Sequence, residues 1–115
     1  MCWDGARLLS GEPLSNAVAA ALPESPAAVL ANCLPPSNVG ACLPVLRDSA
    51  LPFGIYPNLG APEDDSEAGR TADRTPTELA DDTGAWLDAG ARIVGGCCGT
   101  TPAHIRAIAE LLARR

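Results

Sequence analysis

Gly95-Gly96-Cys97-Cys98-Gly99-Thr100-Thr101-Pro102 is the stretch whose reading decides the fold. Directly before it stands the apolar run Ala91-Arg92-Ile93-Val94, and directly after it Ala103-His104-Ile105 opens a helical pattern. Glycine reaches backbone conformations closed to other residues and admits a neighbour or ligand at close range. Thr101 suits the capping position of a helix and Pro102 the first helical position, where a missing N–H costs nothing. The stretch therefore predicts strand, cysteine-bearing turn and helix, with two adjacent thiols at the carboxyl end of the strand. In α/β folds that edge carries the chemistry.

The remainder of the chain repeats the alternation. Ahead of the strand Ala91–Gly95, a helix is expected from Pro76 or Thr77 through Leu79, Trp86 and Leu87 to a stop at Gly90, weakened by Gly84. Phe53–Tyr56 reads as a second strand, closed by Pro57-Asn58-Leu59-Gly60. Ser37 to Arg47 reads as a helix with Val39, Leu43 and Leu46 on one side, in which Pro44 should place a kink or a late start. Ala27–Ala31 is a short continuous apolar run, the pattern of a strand buried on both faces, and Asn32-Cys33-Leu34-Pro35-Pro36 closes it. A first short helix spans Asn16 to Leu22 with Ser15 as its cap. The last helix follows Pro102, with Ile105, Ile108 and Leu112 at helical spacing and Arg114 and Arg115 placed favourably against its dipole. Alternation of this kind implies an α/β fold with about three parallel strands and four helices. Cys33, Asn58, Cys97 and Cys98 should then gather at one edge of the sheet.

Composition narrows the function. The chain has 115 residues, 47% of them hydrophobic, which is one domain or a piece of one with enough apolar material for a core. Its eight basic residues are all arginine, and the formal net charge is −6. Nucleic acids and anionic membranes need a positive surface, so neither is the expected partner. No apolar run reaches the roughly 18 residues of a membrane span. Met1-Cys2-Trp3-Asp4-Gly5 lacks the basic and apolar regions of a secretory signal, which makes a cytoplasmic location the expectation. With five cysteines and no export signal, metal binding or free thiols is a stronger reading than a disulfide framework. A polar, acidic stretch around 62–76 is expected to be a flexible loop.

Zinc favours thiolate ligands, and a catalytic zinc keeps three protein ligands and an open fourth position. Cys33, Cys97 and Cys98 supply three. Their separation in sequence is too wide for a zinc finger or ribbon and suits turns at the ends of different strands. Cys42, on a helix, and Cys2, at a chain end, read as buried or spare thiols. His104 sits one turn into a helix and reads as a capping or surface residue rather than as a fourth ligand.

Asn32-Cys33-Leu34-Pro35-Pro36, Tyr56-Pro57-Asn58-Leu59-Gly60 and the run from Gly90 to Ile105 together resemble the C-terminal motifs of the homocysteine S-methyltransferase family. Ser10-Gly11-Glu12-Pro13-Leu14 is similar to a turn after the fifth strand in that family. The resemblance implies the C-terminal portion of a TIM (β/α)8 barrel in which Cys33, Cys97 and Cys98 hold zinc. It further implies that homocysteine binds the zinc through sulfur and takes a methyl group from a donor such as S-methylmethionine or S-adenosylmethionine, giving methionine. No catalytic residue beyond the zinc ligands is implied. Asn32 and Asn58, beside the metal, would orient homocysteine, against ordinary turn roles for both. A complete barrel of this family needs roughly 300 residues. Residues 1–115 are accordingly expected to form a partial homocysteine-binding barrel domain, weak or inactive alone, that associates with an N-terminal half-barrel or with itself. The alternative is a non-catalytic zinc-binding half-barrel or assembly module.

Overall fold

The structure is a computed structural model that describes residues 6–60 and 74–115. Four α-helices alternate with three strands: α1 (Leu14–Ala21), β1 (Val29–Asn32), α2 (Val39–Asp48), β2 (Phe53–Tyr56), α3 (Pro76–Asp88), β3 (Ile93–Val94) and α4 (Pro102–Arg114). The strands form one parallel sheet in the order β1-β2-β3. Register pairs Leu30 with Gly54 and Gly54 with Ile93, and one residue on it pairs Ala31 with Ile55 and Ile55 with Val94. Beyond β3 proper, Arg92 N–H donates to Phe53 O and Gly95 N–H to Ile55 O, so the pairing extends one residue at each end.

Side chains alternate across a strand, and the two faces of this sheet have different fates. Ala31, Phe53 and Ile55 point into a core shared with Leu14 of α1, Val39, Cys42 and Leu46 of α2, Leu79 and Trp86 of α3, and Ile108 of α4. The opposite face presents Leu30, Tyr56 and Ile93, and Leu30 is 45% exposed. Ala27–Ala31 was expected to be a strand buried on both faces. The observed strand runs from Val29 to Asn32 and is covered on one face only, because no layer of the described chain lies on the other. Gly54 stands at the centre of this open face. A Cβ there would lie 2.7 Å from Ile93 Cβ and 2.8 Å from Ile93 O, so the close approach of β2 and β3 requires glycine.

Local chemistry explains the helix boundaries. α1 begins at Leu14 rather than after Ser15, since Pro13 already has the extended conformation of a capping position and Leu14 N–H is held by Ala6 O. A 3-10 turn over Pro36–Asn38 runs into α2, which carries Pro44 in its interior without ending there. α3 opens on a reciprocal cap: Thr75 N–H donates to Glu78 Oε2 at 2.8 Å, and Glu78 N–H donates back to Thr75 Oγ1 at 3.3 Å. The bond from Thr75 N–H, and a second that Thr75 Oγ1 donates to the same Oε2 at 2.9 Å, favour the ionised form and hold the Glu78 carboxyl below its usual range. The greater part of the acidic stretch around 62–76 lies outside the described residues; Arg74, Thr75 and Pro76 form the approach to α3. Among the described residues no helix is long and apolar enough to cross a membrane.

Gly54→Ala should lower stability by about 1–3 kcal/mol, the usual cost of an overpacked methyl group. A thermal midpoint equal to that of the unaltered chain would contradict the sheet packing described.

Candidate metal centre

All three strands deliver a loop to the same edge of the sheet, and main-chain hydrogen bonds tie those loops to each other. Cys33 N–H donates to Tyr56 O at 2.8 Å and Asn58 N–H to Leu34 O at 2.9 Å, which joins the loop after β1 to the loop after β2. Cys97 N–H donates to Pro57 O at 2.8 Å and Leu59 N–H to Cys98 O at 2.9 Å, which joins the loop after β2 to the loop after β3. Pro57–Leu59 is thus bonded on both flanks. Cys33 has φ +62°, in the left-handed region, and it does so without being glycine. Such a conformation is uncommon for a side chain of this type and persists where the surroundings impose it.

The consequence is a cluster. The Sγ atoms of Cys33, Cys97 and Cys98 all lie within 4.8 Å of one another, and those of Cys97 and Cys98 are 3.8 Å apart. No disulfide joins them. Cys33 is buried, Cys97 half-buried and Cys98 exposed, so the cluster opens outward at one corner. Burial pushes the Cys33 thiol up to about 11, and its hydrogen bond with Cys97 and the neighbouring charges of Cys97 and Cys98 add to the effect. An ion at this place must displace that proton, so its affinity rises with pH. Three sulfurs with no oxygen or nitrogen ligand among them suit a thiophilic ion and not a hard cation.

Asn58 is buried beside the cluster. Its Oδ1 accepts from Gly60 N–H at 3.0 Å, and its Nδ2 lies 3.6 Å from Cys33 Sγ. Asn32 ends β1 with its side chain exposed, on the open face of the sheet, in register with Tyr56. Gly96 is required by Thr100, whose Oγ1 would lie 2.1 Å from a Cβ at that position. Cys42 is remote from this chemistry: it is buried in α2 and donates to Val39 O. Cys2 lies outside the described residues.

His104 has the capping role its place in the sequence suggests, but it is buried rather than at the surface, and its second ring nitrogen has a partner that the sequence did not reveal. Nδ1 accepts from Thr101 N–H at 3.1 Å and lies 2.8 Å from Thr101 Oγ1. With Nδ1 accepting, Nε2 carries the proton and donates to Arg74 O at 2.8 Å. The imidazole thereby caps α4 and ties it to the approach of α3, a contact between segments 30 positions apart. His104→Ala should cost roughly 1–3 kcal/mol, because Thr101 N–H and Arg74 O lose their partner, and it should leave metal content unchanged. A loss of bound metal from this variant would make His104 a ligand.

A family model described as homocysteine S-methyltransferase matches residues 1–112. Among curated proteins, the chain is 35% identical to a selenocysteine Se-methyltransferase of Brassica oleracea var. italica, over 97% of this chain and 34% of that protein. It is 34% identical to homocysteine S-methyltransferase 2 of Arabidopsis thaliana, over 97% of this chain and 35% of that protein. With the homocysteine S-methyltransferase of Escherichia coli (strain K12) the identity is 38%, over 91% of this chain and 35% of the other. The chain therefore spans about a third of the length of these relatives. A three-stranded parallel α/β unit with three of its thiols gathered at one sheet edge, matched over nearly its full length, belongs to the homocysteine S-methyltransferase family.

Proposed function

We propose that this chain is the zinc-binding C-terminal portion of a (β/α)8 homocysteine S-methyltransferase, with Cys33, Cys97 and Cys98 as the zinc ligands. The convergence of the three sulfurs within 4.8 Å carries the proposal. Tetrahedral zinc–thiolate bonds of about 2.3 Å place neighbouring sulfurs about 3.8 Å apart, and Cys97 and Cys98 stand at that separation. Bound there with a fourth position open, zinc would hold the acceptor's sulfur as a nucleophilic thiolate at neutral pH.

The protein's part is to hold and orient. The left-handed turn at Cys33 and the straps across Pro57–Leu59 fix three thiols before any ion arrives. Asn58, through its N–H beside Cys33 Sγ, keeps that sulfur aimed into the cluster and so positions the acceptor indirectly. Asn32, exposed on the open face one residue before Cys33, orients the acceptor amino acid. In the reaction, the sulfur of homocysteine, its thiol proton given up to solvent, would take a methyl group from a sulfonium donor such as S-methylmethionine or S-adenosylmethionine; the donor's S–CH3 bond breaks, the donor leaves as its neutral thioether, and methionine forms. The thiols must remain reduced, which fits a cytoplasmic setting.

The bare sheet face bears on activity. Leu30, Tyr56 and Ile93 would line the barrel interior, and the outer edges of β1 and β3, which pair with no other strand among the described residues, would pair with the further strands that relatives three times as long contain. Methyl transfer thus needs those strands, on the same or another polypeptide. The same face supports the second reading, a non-catalytic zinc-binding module that completes a partner half-barrel.

Zinc should bind at one ion per chain and fall well below that in Cys98→Ala; full retention would overturn the ligand set. Given homocysteine and S-methylmethionine, the chain alone should form little methionine. Mixed with the N-terminal remainder of the Escherichia coli relative it should form more, and no turnover in the mixture would favour the module.

A further inference from the structure

We infer that the Cys33–Cys97–Cys98 cluster is a receptor for trivalent arsenic, which binds all three thiols and closes the site. The arsenic site itself rests only on the three thiols; its inhibitory consequence rests on the zinc reading above.

Valence is the first argument. Trivalent arsenic makes three bonds, favours sulfur, and keeps a lone pair where zinc would keep a fourth ligand. The cluster offers three sulfurs within 4.8 Å of one another, and no histidine nitrogen or carboxylate belongs to it among the described residues. His104, the single histidine of the chain, is already bonded through both ring nitrogens.

Access and order of reaction follow from burial. Cys98 is exposed and takes the first bond, Cys97 stands 3.8 Å away and takes the second, and buried Cys33 closes the set. Main-chain bonds hold the Cys33 turn and the Cys97 turn to the loop between them, so little ordering remains to be done on binding.

The chemistry balances without an oxidant or reductant. Arsenous acid exchanges each As–OH bond for an As–S bond, and each thiol proton leaves with the displaced hydroxyl as water. Three waters are released and arsenic stays trivalent. From the zinc-loaded site, three protons come from solvent instead and a zinc ion is set free.

The test uses the full chain carrying Cys2→Ala, reduced and zinc-free, titrated with sodium arsenite. Native mass spectrometry should show one arsenic per chain, with a mass gain of one arsenic atom less three hydrogens. Arsenic X-ray absorption should show three sulfur neighbours. Adding Cys98→Ala should weaken binding about a hundredfold, as one arm of a multivalent attachment is lost. Since Cys98 is exposed, an unchanged circular dichroism spectrum will separate that loss from misfolding. Two sulfur neighbours, or undiminished binding by the Cys98→Ala variant, would overturn the site. On the zinc-loaded chain, arsenite should release zinc to a chromophoric chelator. Arsenic bound by the zinc-free chain with no zinc release from the loaded one would overturn the inhibitory consequence, whereas a chain that takes arsenic but never held zinc would sink the zinc reading alone.

Discussion

Pro57, Asn58 and Leu59 offer their peptide groups to both sides, to Leu34 on one flank and to Cys97 and Cys98 on the other. These bonds continue the sheet past the point where the strands end. They convert three independent loops into one surface on which sulfur positions are set by main chain. A side chain held this way loses little further freedom when a ligand binds, which is the physical content of preorganisation. Asn58 belongs to the same strap, and its amide adds a contact to Cys33 Sγ that the main chain alone would not supply.

Hydrophobic order on one side of the sheet has a counterpart on the other. Ala31, Phe53 and Ile55 are sealed by the helices, while Leu30, in register with Gly54, stays open. An apolar face next to unpaired strand edges is a template for further strands. The position of the thiols relative to that face matters for chemistry. They lie at the carboxyl edge, the place where barrels of parallel strands assemble their sites from several loops. A ligand arriving at Cys98 would meet the cluster from outside, and strands added along β1 and β3 would complete the walls around it.

Much of this was legible from residue patterns. The two cysteines in their glycine setting, Thr101 with Pro102, and the β-branched run before them announced a strand, a turn and a helix, and the alternation of elements announced parallel strands that bring Cys33 to the same edge. Other features depend on distant partners and left no local trace. The left-handed φ at Cys33 accompanies main-chain bonds to distant partners, from Cys33 N–H to Tyr56 O and from Asn58 N–H to Leu34 O, and nothing in Asn32-Cys33-Leu34 signals it. His104 pairs with Arg74, and the ring's burial follows from how α3 and α4 meet rather than from its own neighbours in sequence. The apolar run Ala27–Ala31 suggested cover on both faces because sequence records what a strand can bury, and the described chain has a layer for one face only.

Zinc X-ray absorption on the loaded, full-length chain tests the central claim most directly, since it counts the atoms around the ion. Three protein thiolates at about 2.3 Å are expected, with the remaining neighbour a lighter atom from solvent in the absence of acceptor and a fourth sulfur once homocysteine is added. A shell dominated by nitrogen and oxygen, or one left unchanged by homocysteine, would contradict the account.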